Sequence, residues 1–214
     1  MYTSSTLSNE QKSTFLDGLH KMCTIFWGPN LEDCKNMRQG LYFQPFTELD
    51  TVLNTETSEV LGNLATFLKT HAEASVLYDH LAEEYVRLFI SSKDGIPTPL
   101  YHSCYESENA LLMGEPAVIM KKRFESKNLS LDDTLHEPPD HLSIELEYLY
   151  FLLQKGWSEN DRMLIAEAAQ FAGESMLPWI GTFCDRLAVA ALSPFYPMMA
   201  TLLICLLHCI TEQT

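Results

Sequence analysis

The sequence predicts an all-α fold, a single helical domain of about eight to ten helices, with a proline hinge at residues 136–141 joining an N-terminal part (1–135) to a C-terminal part (142–214). Two observations carry this expectation. Every sustained hydrophobic pattern recurs near 3.6 residues, and no run alternates with period two over the length of a strand. The interruptions between patterns are those that start or stop helices: a capping box, Gly-Pro and Pro-Pro steps, and Ser-Pro. No internal repeat or low-complexity tract is visible.

Ser8-Asn9-Glu10-Gln11 has the capping-box form, and Phe15, Leu16, Leu19, Met22, Cys23 and Phe26 follow at helical spacing until Gly28-Pro29. A shorter helix is expected between Asn30 and Gly40, then an aromatic loop with Phe43, Pro45 and Phe46. Val60, Leu61, Leu64, Phe67 and Leu68 mark the next helix, and Val76, Leu77, Leu81, Tyr85, Leu88 and Phe89 another, ending near Ser91. Gly95, Pro97 and Pro99 make residues 95–103 a stiff loop. A helix starts at Pro116 and carries Met120 and Phe124, followed by a polar connector at 126–133. After the hinge come a helix to Gln154, a break at Gly156-Trp157, and a helix capped by Ser158 with Asp161 at its third position.

Residues 187–210 contain no formally charged residue, with His208 neutral, and are long enough to span a membrane. Ser193-Pro194 reads as an N-cap followed by proline at the first helical position, with Pro197 in the same turn. The stretch therefore divides into two core helices, and no stable membrane insertion is expected.

Hydrophobic residues at 46% and charged residues at 20% are ordinary globular values and argue against disorder. Fourteen Lys and Arg against 29 Asp and Glu give a net charge of −15, which disfavours nucleic acid and anionic membranes and favours a basic peptide. The six cysteines include no Cys-x-x-Cys, and residues 1–10 lack the apolar segment of an export leader. Reduced thiols in a cytoplasmic protein are the expectation. Cys205, His208 and Cys209 have helical spacing that would suit a metal but lie in the most apolar helix, so they read as core; no metal or other cofactor is expected.

The most informative stretch is Glu137-Pro138-Pro139-Asp140-His141, running into Leu142, Leu146, Leu149 and Leu153. Two prolines fix the entry angle of the following helix, Asp140 is placed as its N-cap, and His141 stands at the helix mouth beside Glu137. Two carboxylates and an imidazole on a stiff junction make either a site or a hinge.

This stretch, with Glu84-Tyr85-Val86-Arg87-Leu88-Phe89 and Pro99-Leu100-Tyr101-His102-Ser103-Cys104-Tyr105 before it, resembles the TorD/DmsD family of redox-enzyme maturation chaperones. Glu137, Pro138, Asp140 and His141 match the family's Glu-Pro-x-Asp-His pattern, and Leu177-Pro178-Trp179 and Phe195-Tyr196 are similar to its C-terminal helices. The resemblance covers roughly residues 60–210. It implies an all-helical cytoplasmic chaperone, monomer or homodimer, that binds the twin-arginine signal peptide on the precursor of a molybdopterin oxidoreductase and shields it until the cofactor is inserted. A close branch serves nitrate-reductase-type subunits that are not exported. Some members bind guanine nucleotides, for which this sequence shows no recognisable site.

The residues implied are the hinge itself, from Glu137 through Pro138, Pro139 and Asp140 to His141, with Tyr85, Arg87 and Phe89 from the first block and Pro99, Tyr101, Ser103 and Tyr105 from the second. Tyr85 and Phe89 read as core that can also line a peptide groove. Arg87 either pairs with a hinge carboxylate or sits on the surface; Tyr101 and Tyr105 either present phenols to a groove or pack. Glu137 and Asp140 would meet guanidinium groups, an apolar groove would involve Leu146, Met113 and Met120, and His141 would bond a backbone carbonyl. The alternative, an enzyme using Asp140 and His141 as acid and base, lacks a phosphate loop, a His-Glu-x-x-His and a nucleophile elbow.

Overall fold

A computed structural model describes residues 7–54, 56–93, 95–106, 112–131 and 136–212. The connector's Asp132 and Asp133 lie outside the described residues. Helix α1 (Asn9–Trp27) starts at the expected capping box: Ser8 Oγ accepts from Gln11 N, and the Gln11 side chain accepts from Ser8 N. Gly28, at φ 131°, ends it in a conformation open to glycine. Helix α2 (Leu31–Arg38) is capped by Asn30. The expected aromatic loop is instead a short helix, α3 (Gln44–Glu48), with Pro45 in its first turn, where a missing N–H costs nothing, and with Phe43 and Phe46 buried.

Helices α4 (Glu56–Lys69) and α5 (Ala74–Tyr85) follow, and α5 passes directly into a π-helical turn, Val86–Ile90. The widened turn leaves the Leu88 carbonyl to accept from both the amide and the hydroxyl of Thr98, at 3.2 and 3.1 Å, which anchors the proline-stiffened loop. After that loop come a 3-10 turn (His102–Tyr105), α6 (Glu115–Ser126), α7 (Leu142–Glu159), α8 (Arg162–Gln170), a second π-helical turn (Phe171–Met176), α9 (Leu177–Ala190) and α10 (Phe195–Thr211). No strand occurs among the described residues; the sole β feature among them is an isolated antiparallel bridge, Tyr101 to His141.

Helix α7 is the central element: Leu142, Ile144, Leu146, Leu149, Leu152 and Leu153 are all buried, and it packs against α1 on one side and α8 on the other. An aromatic knot ties α1, the first π turn, α9 and α10 together. Phe89 lies 6.4 Å from Phe26, 6.2 Å from Phe183 and 5.1 Å from Tyr196. Its phenols are satisfied, with Tyr85 Oη donating to Phe26 O and Tyr196 Oη to Leu81 O. Helix α10 owes its lack of charge to the same core, which buries it on several sides against α4 and α9. No helix among the described residues is long and apolar enough to cross a membrane.

Two boundaries differ from expectation. Ser193 Oγ accepts from Phe195 N at 3.3 Å, but Pro194, not Ser193, holds the N-cap position of α10 and so precedes the helix instead of opening it. Gly156 and Trp157 do not break α7, which runs on to Glu159 and stops at Asn160 in the left-handed region (φ 54°); Asp161, not Ser158, caps α8 by accepting from Met163 N and Leu164 N. Gly156 serves packing. A Cβ there would lie 2.9 Å from Ile165 Cγ1 and 3.3 Å from Ile165 N, so only glycine allows α8 to fold back this closely. Gly156→Ala is expected to destabilise the protein by about 1–3 kcal/mol despite its higher helix propensity, read as a lower urea midpoint with unchanged slope.

Candidate functional site

The hinge is built on backbone pairing. Residues 138–141 form a tight turn in which Pro138 O accepts from His141 N at 3.0 Å, and Pro139 pre-sets the second position. The chain then pairs with the loop before the 3-10 turn: Leu142 N donates to Leu100 O at 2.8 Å and His102 N to Asp140 O at 3.0 Å. Residues 100–102 and 140–142 are thus locked side by side.

Asp140 is not the N-cap. It is wholly buried, and its Oδ2 accepts from the amide of Ser103 at 2.8 Å and from the hydroxyl of Ser103 at 2.5 Å. Ser103 Oγ in turn accepts from Gly114 N at 3.0 Å, so one side chain joins the hinge to two other segments. The capping role falls to His141, whose Nδ1 accepts from Ser143 N at 3.2 Å instead of bonding a carbonyl. Its ring is buried, stacked on Trp27 at 4.5 Å and meeting Tyr101 edge-on at 5.3 Å. Burial holds its pKa down, to about 4. A proton on Nδ1 would also destroy the cap and set a positive charge at a helix N-terminus.

Glu137 is half-buried and accepts from the Tyr101 phenol at 2.6 Å. Tyr105 donates to Pro99 O at 2.8 Å and carries the Arg186 guanidinium over its ring at 4.6 Å. Tyr85 and Phe89 are core residues of the aromatic knot. Arg87 does not reach the hinge carboxylates. It makes a two-point pair with Glu84, at 3.1 and 2.8 Å, and donates to Ala190 O at 2.9 Å. Glu84 also accepts from Leu192 N and Ser193 N. Burial alone would raise the Glu84 pKa, but these donors outweigh it and hold the carboxyl below its usual range. The first block thus fastens the α9–α10 turn.

Next to the hinge the structure opens a cleft of about 360 Å³ between the 3-10 turn, α6, the second π turn and α9. Its floor contains a constellation that sequence reasoning missed. Glu145 on α7 is wholly buried; Oε1 lies 3.0 Å from His102 Nδ1, Oε2 accepts from Trp179 Nε1 at 3.0 Å, and His102 stacks on Trp179 at 5.3 Å. Burial raises the Glu145 pKa, opposed by His102 and Trp179. The available signal was a charge on the apolar stripe of α7, three residues after Leu142 and four before Leu149. Met120 lines the cleft, whereas Leu146 is core and Met113 is exposed elsewhere, at φ 64°.

Cys205 and Cys209 are buried in α10, Cys205 Sγ lies 3.2 Å from Asn54 Oδ1, and burial raises both thiol pKa values, consistent with core packing. No cluster of metal-ligating side chains occurs among the described residues.

The nitrate reductase delta subunit family matches residues 50–185, more than half of the chain. The chain belongs to that family. The chaperone protein TorD of Photobacterium profundum is 28% identical over 153 residues, covering 70% of this chain and 69% of that protein. TorD of Vibrio vulnificus is 31% identical over 128 residues, 58% of this chain and 59% of that one. A crystal structure of a candidate redox enzyme maturation protein from Archaeoglobus fulgidus superposes over 97% of this chain and 99% of its own, with a TM-score of 0.50 and 19% identity, a likeness of fold. The family read from the three motif blocks is therefore correct. The TorD relatives are named as chaperones, and Asp140 and His141, the alternative acid–base pair, are both buried and engaged in holding the hinge.

Asp140→Ala strands two buried donors of Ser103 and is expected to cost about 2–4 kcal/mol in urea unfolding, with Asp140→Asn costing less because its amide oxygen can still accept. For His141 the folded pKa lies below the ordinary 6.5, so the unfolded chain takes up the proton first. Stability is then full above pH 6.5 and falls toward pH 4, by up to roughly 1.4 kcal/mol per pH unit. Glu145, with its raised pKa, opposes part of this fall, while Glu84 and Glu167, with lowered pKa values, lose stability only below about 4.5. Urea midpoints between pH 7.5 and 5 should drop steeply in the wild type and less steeply in His141→Phe.

Proposed function

We propose that the chain is a cytoplasmic chaperone that binds the twin-arginine signal peptide, and the cofactor-free form, of a molybdopterin-dependent oxidoreductase and assists cofactor insertion before export. The observation that carries this is a rigid hinge beside an open cleft of about 360 Å³ with acidic residues at its edge, on a chain of net charge −15. A basic leader is attracted to such a surface at long range, and its apolar stretch needs a groove with a fixed wall. Pro138, Pro139, Asp140, His141 and Ser103 keep that wall rigid. Tyr105 lines the cleft, tied to Pro99 O, and Glu137 and Tyr101 are partly exposed at the hinge, while Tyr85 and Phe89 belong to the core and Arg87 to the joint with the α9–α10 turn. Rigidity lowers the ordering cost of binding. The relatives named as TorD chaperones support the proposal.

A second reading is favoured by the family's description: the client is a nitrate-reductase-type subunit that has no leader. Calorimetric titration of a twin-arginine leader peptide tests the first. Binding is expected, weakened severalfold but not abolished between about 0.05 and 0.5 M salt, because charged contacts are screened and apolar ones are not. A flat titration at both salts, together with co-purification of a leaderless subunit, would establish the second reading in its place.

A further inference from the structure

We propose that the groove between α2, α3 and the end of α4 is a second docking surface, and that its occupant is an acidic, apolar segment of a partner polypeptide. The groove has a volume of about 310 Å³ and shares no residue with the cleft beside the hinge, so the proposal stands apart from leader binding. Its floor is apolar: the buried side chains of Met37, Phe43 and Leu68 meet partly exposed Leu61 and exposed Ala65. Gly40, in the left-handed region at φ 77°, turns the chain from α2 toward α3 and leaves that edge of the groove without a side chain.

The charges that line it have one sign. Arg38 ends α2 and Lys69 ends α4, both are exposed, and no acidic residue lines the groove with them. Neither cation forms an ion pair among the described residues. In a chain with 29 Asp and Glu to 14 Lys and Arg, two such cations beside an acid-free apolar floor call for carboxylates from outside.

Arg38 is already held for the purpose. Its Nη1 donates to Leu68 O at 2.7 Å and its Nη2 to Ala72 O at 3.1 Å, which ties the guanidinium to the end of α4. A guanidinium has five N–H donors, so others remain for a ligand, and a fixed plane loses little freedom on binding. The two cations come from different helices and flank the apolar floor, which suits carboxylates on either side of apolar anchors in a peptide better than the single head of a fatty acid. Met37 in the floor adapts to varied side chains. A basic leader is excluded from this surface by the same charges.

The test is amide NMR of the isotope-labelled protein with short, terminally blocked peptides of core Glu-Leu-Ala-Phe-Glu, Gln-Leu-Ala-Phe-Gln or Lys-Leu-Ala-Phe-Lys, and with decanoate. The proteins are the wild type, Lys69→Glu and Ala65→Trp, with urea midpoints as a control of fold; both positions are exposed, and Arg38 is left intact because it also holds α4. The Glu peptide is expected to bind the wild type at roughly 0.1–1 mM and to shift the amides of Gly40, Ala65 and Lys69. The Gln peptide should bind about tenfold more weakly and the Lys peptide more weakly again. Lys69→Glu should reverse the order of the Glu and Lys peptides, and Ala65→Trp, which fills the groove, should abolish binding of both. If no peptide shifts these amides at about 1 mM, or if the Glu and Gln peptides bind the wild type alike, the groove does not receive an acidic segment. If Lys69→Glu leaves the order unchanged, charge is not what selects the occupant and the proposal fails. If decanoate fills the groove at a lower concentration than the Glu peptide, the occupant is an amphiphile and not a polypeptide.

Discussion

The side chain of Asp140 is the constraint on which the rest of the hinge depends. It is removed from water and bonded to both donors of Ser103, and Ser103 passes the link on to Gly114. Removing a charged or strongly polar group from solvent is costly unless its partners are fixed, so this arrangement exists only when residues 100–103 and 138–142 are already in register. The backbone pairing at Leu100, His102, Asp140 and Leu142 supplies that register. The side-chain and backbone bonds stabilise one another, which makes the junction stiff in both directions.

The same device recurs in the first and third motif blocks and directly after the third. Glu84 joins α5 to the α9–α10 turn through Arg87 and two amides; Asp140 joins the hinge to the 3-10 turn; Glu145 joins α7 to His102 and Trp179. Each is an acid held inside by donors from segments distant in sequence. In an all-helical protein, whose helices satisfy their own backbone and interact mainly through non-directional apolar contact, such buried acids give the packing a unique geometry. They explain why Glu84, Arg87 and Asp140 act as joints, while His102 and Tyr105 of the second block line the open cleft beside them.

That division of labour is what the proposed binding of a basic, apolar leader requires. The chain carries a large negative excess, which would steer a cationic leader, while its local recognition would need a cavity of fixed shape. The cleft beside the hinge combines a buried, bonded floor with exposed carboxylates and apolar surface at its edge. A π turn at its border and a proline-stiffened loop on the other side restrict its movement.

The sequence by itself determined the helical class, most helix positions and the family. Period, capping residues and prolines act over a few residues and leave their mark locally: Ser8 with Gln11, Gly28 and Pro116 all terminate or start elements where their chemistry requires. The split of residues 187–210 into two helices was legible for the same reason, in Pro194 and Pro197. Only the tertiary structure decided what each polar residue does. Asp140 has the spacing of a cap, but Ser103 offers it two donors, and the buried helix start is capped by His141 Nδ1 instead. Arg87 is equally able to pair with Glu137 or Glu84, and the distance across the fold settles it. The floor of the cleft was illegible because Glu145, His102 and Trp179 come from three separated segments, and no local rule couples a carboxyl to donors 43 and 34 residues away.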